Sequence, residues 1–113
     1  MPLWPNWNTT VRFSDEGPGV TPLHQSTALK VVLVGLEPGQ QLPPHVGPTA
    51  SFSILDGAGV MIIGDEEVEV TAGAVAVVPG GQVRSVRAVD TRLVFVGSLG
   101  DPTAEDPPPE AGG

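Results

Sequence analysis

The chain has 113 residues, no cysteine and a formal net charge of −8. Disulfides and thiolate-held zinc are therefore excluded, and no basic face exists to neutralise the phosphates of a nucleic acid. The length suits one domain, no apolar run approaches a membrane span, and the opening MPLWPNWNTT lacks the basic and apolar regions of a secretory leader, so a cytoplasmic protein with no membrane partner is expected.

Residues 1–27 form an N-terminal segment in which Trp4 and Trp7 stand among Pro2, Pro5 and Asn6. The indoles are expected to plug one end of the fold or a seam between subunits, and TTVRFSD, residues 9–15, reads as an edge strand. From residue 28 the apolar residues alternate or cluster in short runs, with Gly and Pro recurring every 8 to 12 positions, the pattern of many short strands. ALKVVLVGL, residues 28–36, suits a strand covered on both faces, and EPGQ turns the chain. SFSILDG alternates, placing Phe52 and Ile54 on one face with Ala50. VMII and EEVEV flank Gly64–Asp65 as a hairpin of the type II′ kind. AVAVV, a tight corner at PGG, then VRSVRA and TRLVFVG complete eight or nine short strands of an all-β sandwich or barrel spanning residues 28–100. The Pro-rich tail 101–113 carries four of the thirteen acids and is expected to be disordered.

From about Leu36 to Ala88 the chain resembles the cupin superfamily, small jelly-roll barrels also called double-stranded β-helices. The family's first motif runs glycine, five residues, His-x-His, a glutamate further on and then glycine. Gly39 and His45 fit it, but the second histidine falls on Gly47 and the glutamate on Ala50, with the intervening loop one residue short. The second motif runs glycine, five residues, Pro-x-Gly, two residues, histidine, three residues, asparagine. Gly73, Pro79 and Gly81 match without a gap, while the histidine position holds Arg84 and the asparagine position Ala88.

The resemblance thus implies the scaffold of a metal-binding barrel with a single ligand, His45. No metal or other cofactor is expected, since one imidazole is too few; a rescued site would need His24, Gln40, Gln41 or Gln82 beside His45. In its place the resemblance implies a roomier pocket lined by His45, Gly47, Ala50, Phe52, Ile54 and Arg84. If Arg84 faces inward, its planar fork is a candidate for binding a ligand carboxylate, and His45 becomes the candidate catalytic acid or base. If Arg84 turns outward, Val83 or Ser85 takes the inner face.

Nucleophilic catalysis has no support, because there is no cysteine and no serine at a strand-to-helix elbow. The Gly-rich corners precede strands, so they are not phosphate loops, and DEE at residues 65–67 reads as a solvated hairpin tip. Three functions remain: a metal-free pocket for a small organic acid, with or without isomerase, cyclase or lyase activity; a dioxygenase-type metalloenzyme with a relocated site; and a non-catalytic oligomeric or partner-binding barrel. A homodimer is expected from the resemblance and from the edges of an open β-sandwich.

Overall fold

The structure is a computed structural model and describes residues 2–103. The disorder expected of the tail falls, from position 104 onward, outside those residues. After a single 3-10 turn at Trp7–Thr9 come seven strands: β1 Gly19–Gln25, β2 Leu29–Leu36, β3 Gln41–Val46, β4 Ala50–Ile63, β5 Glu66–Thr71, β6 Val75–Val78 and β7 Val83–Gly100. No helix of the described residues is long and apolar enough to cross a membrane.

The pairing order is β1-β2-β7-β4-β5, with β3 also on β7 and β6 also on β4. The segments expected as separate short strands are continuous in β4 and in β7, and each of these long strands serves two layers. The first part of β4 lies between β6 and the end of β7, and its last part lies between β5 and the start of β7. β2 extends the first layer along β7, and β3 extends the second. Strands that switch layers need corners. β4 turns where its register against β7 slips twice, between Ile54 and Asp56 and between Gly57 and Gly59. Gly57 has φ of +83°, and a Cβ there would lie 1.9 Å from Arg92 O, so the corner admits only glycine. At the hairpin, Ile63 faces Glu66 across Gly64–Asp65, and Gly64 has φ of +64°, as a glycine-led two-residue turn requires.

The inner face follows the alternation: Ala50, Phe52 and Ile54 of β4 and Leu93 and Phe95 of β7 are all buried. Phe52 and Phe95 meet edge to face at 5.9 Å, an arrangement that adds about 0.5–1.5 kcal/mol to their burial.

Residues 9–15 are not a strand. Asn6 accepts from Asn8 N at 3.0 Å, and Thr10 N and Val11 N both donate to Trp7 O, which coils the segment instead of extending it. Arg12 and Phe13 then cross the sheet where Gly19 and Gly35 leave room; a Cβ on either glycine would lie within 2.4 Å of Arg12 O. The edge strand is β1, which Pro22 disguised in the sequence; it is tolerated there beside a register slip. Trp4 and Trp7 do not plug an end. They lie with Leu23, Leu33, Leu55 and Val96 along a groove of about 370 Å3 on the outer face of the first layer.

Candidate functional site

β7 begins at Val83 after the turn Pro79–Gln82, closed by Gln82 N donating to Pro79 O at 3.3 Å. Alternation from there sends Arg84, Val86 and Ala88 inward, each at most 1% exposed. The outward alternative for Arg84 is therefore overturned. Ser85, on the opposite face, is buried by β3, where its hydroxyl donates to Leu42 O at 2.9 Å.

The Arg84 guanidinium meets backbone carbonyls. Nη2 donates to Gly47 O at 3.0 Å and to Pro79 O and Gln82 O at 3.2 Å, Nε donates to Gln82 O at 3.3 Å, and Nη1 donates to Pro48 O. The loop Gly47–Thr49 and the turn Pro79–Gln82 are joined further by Gly81 N donating to Gly47 O and Gly80 N to Thr49 Oγ1, both at 3.0 Å. Burial pushes the Arg84 guanidinium below its ordinary value, but an arginine stays protonated in a folded protein. Four carbonyl oxygens thus replace water around a buried cation, and this offsets a desolvation cost that would otherwise be several kcal/mol. The donors expected to grip a ligand carboxylate are largely committed to the protein's own backbone.

The other expected site residues are placed as follows. A Cβ at Gly47 would meet Arg84 Cζ at 3.6 Å, an ordinary contact distance, so the guanidinium occupies the space beside this small residue. Ala50, Phe52 and Ile54 face inward but are core residues, 3–5% exposed; Ala50 is packed opposite Val78 and Leu99. His45 is the cross-strand partner of Arg84 in β3, yet its ring is exposed and its Nδ1 donates to Pro43 O at 2.9 Å. That bond leaves Nε2 as the acceptor of the neutral ring.

The metal implied by the family resemblance does not fit this donor set. Among the described residues no three His, Asp or Glu side chains converge. His24 is exposed with Nε2 on Ser26 Oγ, and Gln40 spans Ser14 O and Glu37 N. Arg84 stands in the place of one family ligand, and Gly47 and Ala50, which offer no side-chain donor, stand in two others; the permanent cation also repels a divalent ion.

The interior opens instead on the far side, where the unpaired edges of β5 and β6 face each other. A slot of about 270 Å3 lies there, lined by Ile54, Met61 and Ile63 of β4, Val68 and Val70 of β5 and residues 74–77 around β6, with Glu69 its one charged lining residue. Only Ile54 was among the expected pocket residues. Alternation in AVAVV places Ala74 and Ala76 on one face with buried Val78, a signal that could have found this wall. A larger trough of about 740 Å3, lined by Glu67, Glu69, Arg87 and Asp90 among others, is open surface on the outside of the corner and holds none of the expected residues.

No curated protein sequence matches this chain significantly. The profile of the cupin domain matches residues 32–97. Solved structures with the same fold include a conserved protein of unknown function from Streptococcus pyogenes, with TM-score 0.80, 23% identity and 90% of each chain covered. A protein from Thermus thermophilus superposes with TM-score 0.81 at 26% identity over 88% of this chain and 98% of its own. An RmlC-like cupin protein from Desulfovibrio desulfuricans is 30% identical over 78% of this chain and 87% of its own, with TM-score 0.67. The two long shared strands, the glycine and proline corners at motif spacing and the profile match over more than half the sequence agree: the chain belongs to the cupin superfamily.

Proposed function

We propose that this chain is a metal-independent cupin that binds a small, largely apolar organic molecule in the slot between β5 and β6, and that it binds without catalysing. The lining of that slot supports the reading: nine apolar side chains around about 270 Å3, with a single carboxylate, match the usual composition of a small-molecule site, at a volume just under its usual range. Catalysis has less to work with. His45 is exposed and engaged with its own strand, and no second acid or base stands beside it among the bonds it makes.

A second reading keeps the small organic acid. Every partner of Arg84 is a carbonyl, so its charge is solvated but not neutralised. Ile63, a wall of the slot, is its cross-strand neighbour in β4. An acid in the slot would feel that charge without displacing its hydrogen bonds.

The test is a thermal-shift and calorimetric screen of compact branched or monocyclic carboxylic acids, each paired with its amide. Binding to the folded state must raise the melting temperature. Ala76→Phe, which fills the slot, should abolish the shift while far-UV circular dichroism shows the fold intact, and His45→Ala should leave affinity within about twofold. An acid bound at least about fivefold tighter than its amide supports the second reading; equal affinities confine recognition to the apolar body. A screen with no shifts, or shifts that survive Ala76→Phe, removes the slot as the site.

A further inference from the structure

The outer face of the first layer carries a second cavity, which shares no lining residue with the slot. Trp4 and Trp7, the chain's two tryptophans, wall this groove of about 370 Å3 with Pro2 and Pro5, over a floor that includes Leu33 and Val96. No charged side chain of the described residues lines it, and its rim is open: Leu3 is 67% and Trp4 42% exposed. Indole planes set among prolines suit one class of occupant, a proline-rich segment in the polyproline II form. Such a segment presents apolar rings, has little conformational entropy left to lose, and leaves its carbonyls without internal hydrogen bonds. The indole N–H groups are donors that can meet those carbonyls.

The chain carries such a segment itself. Beyond Thr103 come the ten residues AEDPPPEAGG, with Pro107, Pro108 and Pro109 between acids. β7 ends at Gly100, opposite Leu29, while Val96 of the groove floor stands opposite Leu33, four residues or about 13 Å back along the strand. The chain turns as soon as it leaves β7: Thr103 N and Oγ1 both donate to Asp101 Oδ1, at 2.8 and 2.7 Å. From Thr103 to Pro107 is a step of four residues, at most about 14 Å, so the tether matches the span. A short tether of matching length gives an effective concentration on the order of 1 mM. A segment that binds as a free peptide with Kd of about 0.1 mM is then about nine-tenths docked.

We propose that Pro107, Pro108 and Pro109 of this chain's own tail occupy the tryptophan groove. The uncharged lining suits a chain of net charge −8, because the acids on either side of the prolines meet no carboxylate in the groove. The proposal rests on neither reading of the slot, and its test reads no slot ligand.

Tryptophan emission reports on this groove alone, since both indoles line it. Pro107→Ser, Pro108→Ser and Pro109→Ser combined in the full chain should raise the acrylamide quenching constant at least about twofold and move emission to the red, with circular dichroism unchanged. Adding the peptide AEDPPPEAGG to this variant should restore wild-type quenching saturably, with Kd below about 1 mM; the same peptide with serines for prolines should not. Wild-type quenching should be equal at about 1 µM and about 100 µM, as a contact within one chain requires. In the wild-type chain, nuclear Overhauser effects should link indole protons to proline ring protons, a measurement that needs no variant. Equal quenching in wild type and variant overturns the proposal. So does a peptide that leaves emission unchanged, a wild-type chain without those Overhauser effects, or protection that grows with concentration and so comes from another copy's tail.

Discussion

Arg84 shows how one side chain can join two loops that the sequence separates by some thirty residues. The planar five-donor fork suits this task in a way an ammonium does not: it reaches Gly47 O and Pro48 O on one side and Pro79 O and Gln82 O on the other. Replacing it with glutamine removes most donors while leaving the carbonyls facing a buried space. Arg84→Gln should therefore lower unfolding stability by about 2–4 kcal/mol in urea titrations, with Arg84→Lys recovering part of the loss. A variant within about 0.5 kcal/mol of wild type would show that the carbonyls find water instead.

Among the elements, the corner in β4 is the most demanding. Gly57→Ala must both hold a positive φ and place a methyl group against Arg92 O, 1.9 Å away. Gly73 also has positive φ, +95°, but nothing lies within 4 Å of a Cβ there. Calorimetry should find Gly57→Ala destabilised by about 3 kcal/mol or more and Gly73→Ala by only about 1–2 kcal/mol. Equal losses would mean that the corner relaxes freely. The elements also mark what could be read from sequence. Period-two alternation located Phe52 and Ile54 in the core, and turn chemistry located the hairpin at Gly64–Asp65. Continuity across Gly57–Gly59 was hidden, because glycine punctuation looks the same at a layer-switching corner as at a chain reversal. β1 was hidden by Pro22, which local rules count against a strand and which only its edge position permits. The motif placed Arg84 at a ligand position but left its facing open, and its partners were hidden altogether: they are main-chain oxygens, and every residue has one.

At the scale of the whole molecule, β4 and β7 bind the two layers into one unit. Neither layer can separate without breaking both strands, since each layer borrows half of each. Thermal unfolding is thus expected to be a single transition, with calorimetric and van't Hoff enthalpies in a ratio near one. A ratio well below one, or a far-UV change that precedes the heat absorption, would show that the layers melt apart. The cation clasped by the two end loops has a further consequence for such a molecule. It is synthesised with the polypeptide, at fixed stoichiometry, and cannot be stripped by a chelator, exchanged for the wrong element or lost when trace nutrients are scarce. Where a barrel clasped by a bound ion has a loaded and an empty form, the end of this one is complete as soon as the ribosome has made it.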